Sequence, residues 1–241
     1  MPHTLFSTKE VADYLHLSEE DIELLVRRRE IPFQAMGDRI MFRRADVDQW
    51  ASQRLLGLTD KRLADFHRRT SEKLHSLSKD HAIISELMHP ASFEPALRCR
   101  TKSSVMRSMV DLADATGKLY MKEDLQESLE AREKLCSTAL AGGIALLHPQ
   151  NHVPYMFEDS FLVAGRSIQP IPFGAPDGLT TDIFFLICCQ NDRLHLHVLA
   201  RLCMICYHTP LLLELREAEE DADALYQLVC EREQDVIRSL A

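Results

Sequence analysis

Histidine carries most of the chemistry this sequence could perform. His148 follows the apolar run Ile144–Leu147 and precedes Pro149, while His195 and His197 stand two residues apart. Histidine's ordinary pKa leaves one ring nitrogen unprotonated near neutral pH, so it can be a nucleophile, a proton carrier or a metal ligand. Taken alone, His148 reads as a surface residue closing a strand. A metal reading would gather His148, His152, His195, His197, Cys203 and Cys206, because zinc takes converging Cys and His ligands. Against it, Cys203-Met204-Ile205-Cys206 falls in an apolar helix beside Leu199 and Leu202, with no second such pair. Buried free thiols account for it better. Cys188 and Cys189 are neighbours in a strand and point to opposite faces. No metal and no cofactor is therefore expected. No Walker-type glycine loop is present, so a nucleotide donor is not indicated.

Elements must position these residues. Ser7 or Thr8 can cap a short helix carrying Glu10, Val11, Ala12 and Leu15, and Ser18 can cap a second with Ile22, Leu25 and Val26 on its apolar stripe. Ile31–Phe42 reads as a hairpin around Gly37-Asp38, followed by a helix through Val47 and Trp50. The spacing of Leu63, Phe66, Leu74, Leu77, Ile84 and Met88 predicts a connecting helix from Asp60 to Met88. Two uses fit it: a linker lying on its own domains, or a short dimerisation helix giving a homodimer. Pro90 and Pro95 then break the chain. Beyond them, helices are predicted at Ser104–Thr116, Lys122–Lys134, Leu194–Tyr207 and Asp221–Cys230, with another opening at Pro210. Strands are predicted at Ile144–Leu147, Phe161–Ala164, Ser167–Ile171 and Asp182–Cys189. This mixture predicts an α/β (α+β) sandwich behind a small N-terminal domain and a helical linker. The divisions are residues 1–56, 57–92 and 93–241.

Composition bounds the function. The 241 residues are 46% hydrophobic and 27% charged, ordinary for a globular protein and unlike a disordered or fibrous chain. The apolar stretches are too short and too polar to span a bilayer, and no secretion signal opens the chain. Seven cysteines read as reduced thiols, so the expected location is the cytoplasm. Residues 1–56 carry net −2, residues 57–103 net +3 and residues 104–241 net −10. Nucleic-acid binding would therefore be confined to the first part, since the last would repel phosphate.

Two resemblances follow from the motifs. Leu5-Phe6-Ser7-Thr8-Lys9-Glu10-Val11-Ala12-Asp13-Tyr14-Leu15, with Arg29-Glu30-Ile31-Pro32-Phe33 and Arg43-Arg44-Ala45-Asp46-Val47, resembles the excisionase and MerR-like winged helix–turn–helix family. The resemblance implies DNA binding through residues 1–56, with the second helix in the major groove and the hairpin on the backbone. That helix opens on Glu19, Glu20, Asp21 and Glu23, whereas Arg27, Arg28, Arg29, Arg39, Arg43 and Arg44 cluster around the wing. Protein contact is the other use of such a fold. Further on, Leu129-Glu130-Ala131-Arg132-Glu133, Ser137-Thr138, Gly142-Gly143-Ile144-Ala145-Leu146-Leu147-His148-Pro149, Pro170–Gly178 and His195-Leu196-His197 occur in order. Together they resemble the mannitol/fructose type of enzyme IIA domain of the bacterial phosphotransferase system and its nitrogen-regulatory branch.

By this resemblance His148 is the phosphorylated histidine, Arg132 its clamp and His195 the second active-site histidine. Leu147 stands just before the histidine where the family usually has proline. The implied donor is the phosphocarrier HPr or its nitrogen-branch relative, and the implied acceptor an enzyme IIB or a regulated target protein. The chemistry suits the residue types. A neutral ring nitrogen attacks phosphorus while the other nitrogen donates to a fixed acceptor, and cationic and N–H donors meet the phosphoryl oxygens. His197, two residues from His195 on a helix, points to a different side. No transporter part accompanies the motif in this sequence, so a regulatory phosphoryl carrier is expected. The other reading is a DNA- or protein-binding regulator that uses the domain as sensor or scaffold.

Overall fold

The computed structural model describes residues 5–15, 17–37, 39–56, 81–150 and 154–240. Contacts divide the chain into two compact units, Met1–Ser78 and Lys79–Ala241. In the first unit, β1 (Leu5–Ser7), α1 (Thr8–Leu15), α2 (Glu19–Arg27), β2 (Gln34–Met36), β3 (Arg39–Arg43) and α3 (Arg44–Leu56) follow in order. The strands form an antiparallel sheet in the order β1-β3-β2. Ser7 caps α1 reciprocally: its Oγ accepts from Glu10 N at 3.3 Å, and Glu10 Oε2 accepts from Ser7 N at 2.7 Å. Ser18 and Asp21 form the same box on α2. Asp21 is thereby used in capping, while Glu19, Glu20 and Glu23 remain exposed. Arg29 closes α2 in the left-handed region at φ 55, with Arg29 N on Val26 O and Glu30 N on Leu25 O. That pattern ordinarily selects glycine. Val11, Leu15, Ile22, Phe42 and Val47 form the small core.

The second unit runs α4 (Ile83–Leu87), β4 (Phe93–Leu97), α5 (Lys102–Ala115), α6 (Lys122–Leu135), β5 (Ala139–Leu140), β6 (Ile144–Leu147), β7 (Phe161–Ile171), β8 (Thr181–Cys188), α7 (Asp192–His208), α8 (Leu211–Glu217) and α9 (Ala222–Leu240). Its five-stranded sheet has the order β4-β7-β8-β6-β5. β8 lies between β7, antiparallel to it, and β6, parallel to it. Covered on both faces, β8 reads as a nearly unbroken apolar run. Phe184, Leu186 and Cys188 join Ala145, Leu147, Met109 and Leu129 in one core cluster beneath α5 and α6. α7 packs on β8, and α9 packs on β4, α4, α7 and α8. The architecture is the expected sandwich of helices on a mixed sheet.

Two local expectations change. The connecting helix expected from Asp60 to Met88 lies, up to residue 80, outside the described residues. At its described end Ala82 (φ −80, ψ 67) lies outside helical backbone, and α4 begins at Ile83. The two strands predicted at Phe161–Ala164 and Ser167–Ile171 are one strand. Gly165 breaks nothing; a Cβ there would stand 2.4 Å from Leu97 Cδ1, so glycine lets β4 approach. A register shift between Arg166 and Ile171 carries the strand on.

α7 is buried almost all round. Among the described residues no single helix is long and apolar enough to cross a membrane. The burial of α7 has a polar consequence. Arg201 on α7 and Glu233 on α9 lie 3.5 Å apart with both side chains fully buried. Glu233 also accepts from Ile84 N at 2.9 Å, Ser85 N at 2.8 Å and Ser85 Oγ at 2.6 Å, which ties α4 into the unit.

His197, on the same helix, is fully buried; burial, reinforced by the Arg201 cation, pushes its pKa down to about 3. The fold thus holds it neutral, while the unfolded chain protonates it near its ordinary 6.5. Stability from this group is complete above about pH 6.5 and drains as pH falls, by about 1.4 kcal/mol per unit. Between pH 7.5 and 5.5, urea unfolding of the parent should lose about 1 kcal/mol more than that of His197→Gln. Equal losses in the two proteins would refute this assignment.

Candidate active site

The site lies where three elements end. β6 and β8 are parallel with Leu147 opposite Leu186, so both strands deliver their C-terminal ends to one edge of the sheet. His148 leaves β6 at that edge. α7 starts there too, capped by Asn191, whose Oδ1 accepts from Leu194 N at 3.0 Å, and this first turn carries His195. The last turn of α6 supplies Arg132. A crevice outside the carboxyl ends of parallel strands is the usual place for a site in such sheets.

His148, Arg132 and His195, predicted from separated motifs, are brought together, and each is only 2% exposed. His148 Nδ1 lies 2.9 Å from Leu146 O. A carbonyl can only accept, so Nδ1 carries the ring proton. The neutral ring then has its lone pair on Nε2, and Arg132 Nε donates to it at 3.0 Å. The two contacts require the same tautomer. The His195 ring stands with its centroid 4.7 Å from that of His148, tilted by 45°. The positive end of the α7 dipole faces the same region, which favours an anion there.

Arg132 is itself aimed. Its Nη1 donates to Cys136 O at 3.0 Å and lies 3.4 Å from Cys136 Sγ. The loop bearing Cys136 is fixed by Glu133, a buried carboxylate that accepts from Thr138 N at 3.0 Å and Thr138 Oγ1 at 2.6 Å. Lys102 Nζ completes this arrangement, 2.6 Å from Glu133 and 2.8 Å from Phe173 O. Gly142 and Gly143 form the β5–β6 turn at φ 89 and φ 82. Arg216 braces that turn by donating to Gly142 O at 2.7 Å and to Asp182 Oδ1 at 2.6 Å.

His197 is fully buried in the packing of α7 near Arg201 and His81. His152 lies outside the described residues. Cys203 and Cys206 are buried on the core side of α7, where burial pushes the Cys203 thiol up to about 12 and raises Cys206 as well. Among the described residues no group of three or more His, Cys, Asp or Glu side chains is placed to hold a metal ion. The supporting roles of Lys102 and Cys136 were not legible beforehand. Lys102 lies about thirty positions from Glu133, and Cys136 acts chiefly through its backbone carbonyl.

Comparison with known proteins bears on the family and the fold. Residues 86–231 match the family model of the phosphoenolpyruvate-dependent sugar phosphotransferase system, EIIA 2, and residues 5–55 match a helix-turn-helix domain model. A nitrogen regulatory protein of Klebsiella oxytoca is 26% identical over 161 residues, covering 64% of this chain and 95% of that protein. The fructose-specific EIIABC component of Bacillus subtilis is 26% identical over 148 residues, 61% of this chain; the match spans only 23% of that protein. Among solved structures, the nitrogen regulatory protein IIA-Ntr of Neisseria meningitidis superposes with a TM-score of 0.55 at 23% identity, covering 61% of this chain and 99% of that one. IIA mannitol from Escherichia coli gives a TM-score of 0.52 at 17% identity, covering 59% of this chain and 98% of that one. At these identities the structures speak for the fold.

The Lys102–Glu133–Thr138 arrangement makes a prediction of its own. Glu133→Gln removes the charge and sets an amide donor against donors, and should cost about 2 kcal/mol in urea unfolding. Lys102→Met should cost less in the Glu133→Gln background than in the parent. Additive losses would mean that the two side chains do not act as a pair.

Proposed function

This chain belongs to the phosphoenolpyruvate-dependent sugar phosphotransferase system EIIA 2 family, and from that premise we propose that it is a regulatory phosphoryl carrier with His148 as acceptor. The observation that carries the reading is the imidazole held at both nitrogens, by Leu146 O and by Arg132 Nε. Nε2 attacks phosphorus as the bond from phosphorus to the donor's nitrogen breaks. Nδ1 keeps its proton against Leu146 O, so the phosphorylated ring is cationic and leaves readily in the next transfer. Arg132 withdraws from Nε2 and meets the phosphoryl oxygens with its permanently charged fork. His195 offers a second donor from the ring tilted against His148. The donor is an HPr-type phosphocarrier, as the family's chemistry implies. The onward partner is an enzyme IIB or a regulated target, whose docking face the new dianion would change. The working location is the cytoplasm.

A second reading is favoured by the first unit. Arg39 and Arg43 stand exposed on the β2–β3 hairpin, and Arg27, Arg28 and Arg29 lie exposed at the end of α2. These could hold DNA phosphates while α2 keeps its exposed acids at the opposite end. The chain would then be a transcriptional regulator whose second unit acts as the sensor.

Intact-mass measurement after incubation with phosphoenolpyruvate, enzyme I and HPr or its nitrogen-branch relative tests the first reading. One added phosphoryl group is expected in the parent and none in His148→Ala; Arg132→Gln should slow the gain by about a hundredfold or more. A parent that stays unmodified with both carriers would overturn it. For the second reading, the full chain should retard duplex DNA at low salt, and Arg39→Ala/Arg43→Ala should weaken retardation and flatten its salt dependence. No retardation at low salt would remove DNA from consideration.

A further inference from the structure

Strands β4 and β7 part company at Leu97. Leu97 is paired with Ser167, but beyond it the chain turns off through Arg98, Cys99 and Arg100 to begin α5, while β7 runs on to Ile171. The parting leaves a cavity of about 260 Å³ lined by Leu97, Arg98, Cys99, Arg100, Ile168 and Gln169. It contains none of the residues of the candidate active site.

Burial alternates across the three-residue turn-off. Cys99 is buried, with its Sγ 3.3 Å from Ser108 Oγ, whereas Arg98 and Arg100 are exposed on either side of it. Both arginines line the cavity. Among the described residues no ion pair engages either guanidinium. Lys102, two residues on, is held by Glu133 and Phe173 O and adds no free charge. The N-terminus of α5, a helix of fourteen residues, opens beside them and adds its positive dipole end. This concentration of positive charge occurs in a unit whose residues 104–241 carry net −10. Leu97 and the 53% exposed Ile168 add apolar lining beside the arginines, together with Gln169.

From this arrangement we infer a second binding site, for a small organic dianion with a short apolar body: a dicarboxylate or a phosphomonoester. Each guanidinium presents a planar fork that matches two oxygens of a carboxylate or phosphate, and two forks two residues apart match two negative charges. The apolar wall takes the carbon skeleton. The volume lies below the ~300–1,000 Å³ typical of pockets for drug-sized ligands, so the occupant is a small metabolite and not a nucleotide or cofactor.

The test is a titration of the ¹⁵N-labelled full chain at constant ionic strength, with inorganic phosphate in one arm and succinate in the other. Amides of Leu97–Arg100, Ile168 and Gln169 report on this cavity, and those of Arg132, Leu146 and His195 report on the candidate active site. Saturable shifts of the first group are expected in at least one arm, and the arm that saturates at lower concentration identifies the preferred charge carrier. Arg98→Ala/Arg100→Ala should weaken the response at least about tenfold, since each charge-assisted fork is removed from an exposed position. The same variant should take up a phosphoryl group like the parent, so failure here is separable from failure of the carrier reading. Shifts confined to the second group, shifts that do not saturate, or shifts unchanged in the double variant would each overturn the site.

Discussion

An imidazole has two nitrogens, and this fold occupies both with complementary partners. The Leu146 carbonyl takes the Nδ1 proton and the Arg132 Nε–H takes the Nε2 lone pair. The first contact demands that β6 stop one residue after Leu146 and turn its next side chain back on the strand. The second demands that α6 end where its last turn faces that strand. Parallel pairing of β6 with β8 then brings the start of α7, and His195 with it, to the same edge. The arrangement of the second unit is in this sense the set of conditions for one neutral, oriented ring.

Those conditions are maintained by buried carboxylates acting where regular ladders stop. Glu133 takes the backbone N–H of Thr138 in the loop after α6. Glu233 does the same for Ile84 and Ser85 at the entrance to the unit. Each is matched by a cation, Lys102 in one case and Arg201 in the other. A buried carboxylate without its donors would be costly to the fold, so each pins an irregular segment more firmly than a neutral acceptor would.

Much of this was legible in the sequence. The caps at Ser7 and Ser18 and the strand β8 follow from local pattern, and the grouping of His148, Arg132 and His195 follows from the family resemblance of ordered motifs. What escaped was non-local. The role of Gly165 depends on Leu97, which lies far back in the chain, so a local reading sees a break in place of a close approach. The continuous burial of α7 depends on α9 arriving over its polar side, and no periodicity within α7 announces that. The partnership of Arg201 with Glu233 has the same origin: each charge alone looks like surface. α4 begins at Ile83 because Ala82 departs from helical backbone, which the apolar spacing does not show.

The covering of His148 bears on discrimination among electrophiles. Its Nε2 faces Arg132, and both residues are 2% exposed. A small reactive compound diffusing to this edge finds no naked lone pair and brings too little charge to draw the guanidinium aside. A docked macromolecule presenting a phosphoryl group can offer the arginine a better counter-ion than a neutral ring and so uncover the nitrogen as it arrives. In the proposed carrier the arginine would thus work as a shutter that opens to the same charge that is to be transferred. Fidelity in such an arrangement arises before bond-making, from what can displace a hydrogen bond, and it needs no separate recognition element at the reacting atom.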